Sequence, residues 1–198
     1  RFPFEEIWGF HNMPGLPAGH FETCPGPIMS AEDNFEIILK GIGGHSSRPH
    51  DGNETLVPAC SLILELQTII SRKVNPSETA VISVTELASD GTRNALPGTS
   101  VISGDVRSFN KKISKQIQME IQKISNAVGS AHNLNVDFTY SNEFIPLIND
   151  AELTKISLEV AAGVFGNDKT NIAMEPMTGS EDFARFLNSV PGSYAFIG

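Results

Sequence analysis

Hydrophobic positions along the chain switch between a period of two and a period near 3.6, and each switch marks an expected element. Residues Asn34-Phe35-Glu36-Ile37-Ile38-Leu39-Lys40 are strand-like, and Gly41-Ile42-Gly43-Gly44-His45 turns the strand into a loop. A helix is expected next, because Leu56, Cys60, Ile63, Gln67 and Ile70 fall at helical spacing. Asn53 or Thr55 can cap its start, and Pro58 lies in the first turn, where a missing N–H costs little. Asn75-Pro76 ends it, and Ala80 to Thr85 reads as a strand rich in β-branched residues. A further strand, from about Val101 to Arg107, follows the turn at Asn94-Ala95-Leu96-Pro97-Gly98. Ile113, Ile117, Ile121, Ile124 and Val128 mark one face of an amphipathic helix, and Leu134 to Tyr140 gives a fourth strand. The order β-α-β-β-α-β over 34–141 predicts a ferredoxin-like unit of α+β class, with a four-stranded antiparallel sheet and both helices on one face. In that arrangement Ala80 to Thr85 is an edge strand, with no charge, proline or bulge signal to guard it.

The flanks follow another pattern. Residues 1–33 are rich in Pro and Gly and read as one short strand, Ile7 to Phe10, followed by loop. Asn149 to Phe165 reads as a helix with Leu153, Ile156, Val160 and Val164 on one side. Glu181 to Leu187 reads as a short helix that Ser180 can cap, and Tyr194 to Ile197 as a strand. The simplest organisation is an inserted domain, 34–141, between two partial segments of an α/β domain, 1–33 and 142–198. An opening without Met and an ending in an apolar run lead us to expect a fragment.

Composition narrows the function classes. The 198 residues carry 14 Lys+Arg against 23 Asp+Glu, a net charge of −9 that argues against a nucleic-acid-binding surface. No apolar stretch reaches spanning length, so no membrane partner is expected. The two cysteines, Cys24 and Cys60, make no disulfide framework and point to a reducing, cytoplasmic setting.

Few residues suggest chemistry on their own. His11 stands at the end of the expected strand in Trp8-Gly9-Phe10-His11-Asn12, where an imidazole can serve as a metal ligand, although a lone histidine is more often a hydrogen-bonded structural residue. His45 lies in a glycine-flanked loop, as a ligand-facing or a merely solvated side chain. Asn94 and Arg107 form a polar pair, and Arg suits a bidentate grip on a carboxylate, although an Arg near a strand end is commonly a solubility residue. Glu5-Glu6 reads as surface charge and Cys24 as an inert thiol. The chain holds no nucleophile elbow, phosphate loop or paired CxxC site.

Taken in order, His11-Asn12-Met13-Pro14, Gly43-Gly44-His45-Ser46-Ser47-Arg48-Pro49-His50, Asn94-Ala95-Leu96-Pro97, Gly104-Asp105-Val106-Arg107 and Gly179-Ser180-Glu181-Asp182-Phe183 resemble the M20 metallopeptidases. The similarity is to the amidohydrolase branch of hippurate hydrolases, N-acyl-amino-acid deacylases and auxin-conjugate hydrolases. It implies a hydrolase of N-acyl amino acid amides that uses two divalent ions, zinc, manganese or cobalt. His11 would be one metal ligand. His45 would reach across a homodimer, formed through the inserted domain, to stabilise the oxyanion in the partner's site. Asn94 and Arg107 would hold the substrate's backbone and carboxylate, and Glu181 would support the site in an unspecified way. The family's Cys-x-His pair, Glu-Glu pair and late histidine are expected outside this chain, which alone should be inactive and metal-free. The helix start after His50 departs from the family's usual Asp-Pro. Two other readings are a non-catalytic small-molecule-binding or regulatory ferredoxin-like module and a dipeptidase of the same superfamily.

Overall fold

The computed structural model describes residues 4–198 and divides into two compact units. One comprises the residues up to Glu32 together with Phe144–Gly198, and the other is Asp33–Glu143.

The chain begins with β1 (Ile7–Asn12), β2 (Phe21–Glu22) and β3 (Gly26–Met29), so the Pro- and Gly-rich opening holds two strands beyond the one its sequence suggests. In the Asp33–Glu143 unit follow β4 (Ala31–Lys40), β5 (Gly44–His45), α1 (Leu56–Arg72), β6 (Ala80–Ser89), β7 (Ala95–Leu96), β8 (Thr99–Ser108), α2 (Lys111–Ala131) and β9 (Asn135–Phe144). Its main sheet has the order β6-β8-β4-β9, with β6 at an edge and antiparallel to β8. Alternation along β4 buries Ala31, Asp33, Phe35, Ile37 and Leu39 and turns their neighbours outward. The buried side meets Leu62, Leu66 and Ile69 of α1 and Ile113, Ile117 and Ile121 of α2 in a single core cluster. Gly104 on β8 keeps room for Phe35, whose ring carbon lies 2.3 Å from where a Cβ would stand.

Four local expectations change. The buried face of α1 is Leu62, Leu66 and Ile69, about one residue, or roughly 100°, round from the stripe Leu56, Cys60, Ile63, Gln67 and Ile70. Its cap is Glu54, whose carboxylate accepts from the N–H of Leu56 (2.6 Å) and of Val57 (3.2 Å). Thr55 is buried instead, with its hydroxyl 2.8 Å from that of Ser100. Strand β6 runs on past Thr85, and its register slips between Val84 and Glu86, a bulge in the edge that the sequence did not signal.

The last elements are β10 (Leu147–Asn149), α3 (Ala151–Phe165), β11 (Thr170–Asn171) and β12 (Gly192–Ile197). They complete a sheet of order β1-β12-β2-β11, in which β1 and β12 run parallel, and the pair β10-β3. On α3 the apolar stripe lies outward: Ile156, Val160 and Val164 are exposed, and Thr154 and Ala161 are buried. Asn149 joins this unit internally, its amide donating to the carbonyls of Cys24 and Tyr194 at 2.9 Å while its oxygen accepts from the Tyr194 N–H. Among the described residues no helix is long and apolar enough to cross a membrane.

Candidate functional site

His45 closes β5, which pairs antiparallel with β7 so that His45 lies opposite Ala95. The Ser46 N–H donates to the carbonyl of Asn94 (3.0 Å), and Thr92 and Ala95 bridge the tight turn that carries Arg93 and Asn94. The structure therefore brings the His45 loop and Asn94 together, both exposed at one end of the sheet. Gly43 makes this approach possible, since a Cβ there would meet the Leu96 carbonyl at 2.7 Å. Beyond His45, the carbonyl of His45 accepts from the Arg48 N–H (2.9 Å), and its Nδ1 accepts from the Ser47 N–H (3.2 Å). His50 and Arg48 sit on either side of Asp51, at 3.3 and 2.7 Å.

Arg107 is not with them. It lies near the far end of β8, about 27 Å from Thr99 at the usual strand rise. The Gly41 N–H donates to Gly98 (2.8 Å), which places the end of β4 beside the start of β8. Arg107 is thus at the end where the chain enters the unit, and the expected Asn94–Arg107 pair is not contiguous within it. Period-two alternation puts Asp105 on the same face, and its Oδ2 accepts from Arg107 Nε at 2.7 Å. At that end the buried Asp33 accepts from Ser114 Oγ (2.6 Å), Tyr140 Oη (2.8 Å) and Asn142 Nδ2 (2.6 Å). Burial, and then the Asp33 charge, push the Tyr140 hydroxyl well above its ordinary range. The sequence pattern does not disclose this network, because the strand it predicts begins at Asn34. Extending the alternation back to Ala31 would have put Asp33 on the core face.

In the other unit, His11 sits on the exposed β1, opposite Phe196 of β12. Its Nδ1 donates to the Asn12 carbonyl at 2.5 Å, leaving Nε2 as the atom with a lone pair, the arrangement a metal-ligating histidine needs. Among the described residues, no group of three His, Cys, Asp or Glu side chains is placed to hold a metal ion. The free Nε2 leaves His11 able to take one ligand position, and the described residues supply no group of three beside it.

Glu181 has a defined structural task in the same unit. It caps the 3-10 turn Asp182–Asn188 through the Phe183 N–H and accepts from Tyr194 Oη at 2.6 Å. Ser180, the expected cap, donates to Glu32 instead. Partial burial works against the Glu181 charge, but donors from Tyr194, Asp182 and the backbone of Phe183 hold its carboxyl below the ordinary value. Burial raises the Tyr194 hydroxyl and the Cys24 thiol, the latter in keeping with an inert cysteine.

A model of peptidase family M20/M25/M40 matches residues 1–198. The N-acetyl-L-cysteine deacetylase of Bacillus subtilis (strain 168) is 32% identical over 197 residues, covering 98% of this chain and 46% of that protein. The N-acetyldiaminopimelate deacetylase of Lactobacillus helveticus (strain DPC 4571) is 30% identical over 200 residues, covering 100% of this chain and 51% of that one. A solved dinuclear metal-binding M20 peptidase from Bacillus subtilis shares the fold, with a TM-score of 0.79 at 24% identity over 98% of this chain and 48% of that one. The chain spans about half the length of the curated relatives it matches. With every residue inside the family match, from the His11 strand to the Glu181 cap, the chain belongs to peptidase family M20/M25/M40.

Proposed function

We propose that this chain is the dimerisation and lid portion, with adjoining catalytic-domain segments, of a longer metal-dependent hydrolase that cleaves the amide of N-acyl amino acids. The observation that carries the reading is the pairing of the His45 loop with the Asn94 turn, which presents an imidazole and a carboxamide at the end of the sheet away from Asp33 and Glu143. Two relatives are named as deacetylases of N-acetylated amino acids, which favours that substrate class over a dipeptide or a regulatory ligand.

On this reading Asp33–Glu143 is a ferredoxin-like dimerisation domain, supported by its strand order and by two helices that share one core. The open edge of β6 pairs with its copy about a two-fold axis, and the exposed Val57 and Leu64 of α1 add apolar contact. His45 then serves the partner's site, donating to the carbonyl oxygen as negative charge grows on it. Asn94, beside His45, holds the substrate's backbone; Arg107, separated from them by the length of β8 within one chain, grips through its guanidinium fork the carboxylate of a substrate held by the other copy's His45 loop. His11 supplies one imidazole toward zinc, manganese or cobalt. The remaining ligands come from outside the set this chain brings together, so the chemistry assigned to the chain is the grip on the substrate and the donor to its carbonyl.

The test is His45→Ala in the full-length enzyme with an N-acetyl amino acid as substrate. The expected result is a kcat lower by about a hundredfold or more with metal content unchanged. A kcat equal to wild type contradicts the role. Sedimentation equilibrium tests the assembly: the chain should be a dimer at micromolar concentration, weakened by Ser83→Lys on β6, and a monomeric wild type contradicts the edge pairing.

A further inference from the structure

The two histidines are held by backbone groups of opposite polarity. Nδ1 of His11 meets a carbonyl, which only accepts, so that nitrogen carries the proton and Nε2 the lone pair. Nδ1 of His45 meets the Ser47 N–H, which only donates, so here Nδ1 holds the lone pair and the proton of the neutral ring is on Nε2. The Ser47 hydroxyl, 2.8 Å from the same Nδ1, then acts as a second donor. Three successive N–H groups beyond His45 are used in turn: Ser46 to the Asn94 carbonyl, Ser47 to the ring, and Arg48 to the His45 carbonyl. The turn closed by Arg48 aims the Ser47 amide at the imidazole. Because the ring is exposed, its angle rests on hydrogen bonds and not on packing.

We infer that Ser47 is a positioning residue that fixes the His45 proton on Nε2, so that the neutral ring offers an N–H donor to the substrate carbonyl. The inference rests on the proposed role of His45 and adds which atom acts and what orients it. A carbonyl that gains negative charge needs a donor already aimed at it, and a ring free to flip would present a lone pair for part of the time. The backbone amide supplies one restraint whatever residue occupies position 47, and the hydroxyl supplies the other.

Two amide replacements locate the acting atom in the full-length enzyme, because Gln places its NH2 near the position of Nε2 and Asn near that of Nδ1. His45→Gln should retain at least roughly tenfold more kcat than His45→Asn. Ser47→Ala should lower kcat by about three- to tenfold with KM and melting temperature unchanged, and Ser47→Thr should restore it. Independently of activity, long-range 1H–15N spectra of this chain at pH 8.5 should show His45 protonated at Nε2, and Ser47→Ala should move the Nδ1 resonance. A proton on Nδ1, a more active Asn than Gln variant, or a Ser47→Ala protein identical to wild type in both kcat and Nδ1 resonance would overturn the inference. A fully active His45→Ala enzyme would defeat the catalytic role itself, while the spectra would still decide where the proton sits.

Discussion

In the Asp33–Glu143 unit fifteen buried apolar residues from strands, helices and their connections form one cluster, whereas the described residues of the flanking unit form two smaller clusters, of seven and three. The contrast extends to the helices. Both α1 and α2 turn apolar faces onto the sheet of their own unit, while α3 points Val160 and Val164 outward, and Trp8 and Phe10 of β1 are also exposed. An amphipathic pattern shows that a helix has an apolar side. It identifies the core only where the partner layer lies within the same unit.

The sharpest test of this contrast is Leu66→Ala, which should cost about 3 kcal/mol in denaturant unfolding because the side chain is fully buried in the single core. Asp33→Ala comes next, at about 2 kcal/mol, since it leaves the Ser114, Tyr140 and Asn142 donors without their acceptor. Glu54→Ala should destabilise by about 1 kcal/mol through loss of the α1 cap, and Glu54→Gln, which keeps an acceptor, by less. In the flanking unit, Glu181 titrates below its ordinary value in the folded state. The stability it contributes is therefore present above the unfolded-state value and is lost as pH falls through the folded one. Glu181→Gln should accordingly lower the neutral region of a stability–pH curve and leave its acid end little changed, flattening the limb between them. The smallest effect is expected of Val160→Ala on the outward face of α3, within about 0.5 kcal/mol. A loss there as large as that of Leu66→Ala would mean that the two units do not differ in the way described.

The strands β4, β6, β8 and β9 and the helices α1 and α2 are legible in the sequence because each period switch coincides with one of them. Their details are less so: the expected stripe of α1 is about one residue out of phase with its buried face because Ile63 and Leu62 are equally apolar, and only packing chooses between them. Glu54 escaped notice as a cap because Thr55 has the better capping chemistry, but the Thr55 hydroxyl is engaged with Ser100. For the site, the motifs picked out His11, His45, Asn94 and Arg107, yet spacing carried no information on the bridge that joins the His45 and Asn94 loops or on the length of β8 that separates Arg107 from them. Ser47 lies inside the Gly43–His50 motif, but its contact with the imidazole depends on a turn whose closure is visible only in three dimensions.

The central claim, that His45 acts in the site of the other subunit, is tested most directly by mixing two inactive full-length variants, His45→Ala and His11→Ala, under conditions that exchange subunits. With random exchange about half the dimers are mixed and one site in each is intact, so recovery of roughly a quarter of wild-type activity is expected. No recovery, with exchange verified by native mass spectrometry and each parent variant still dimeric, would contradict the account.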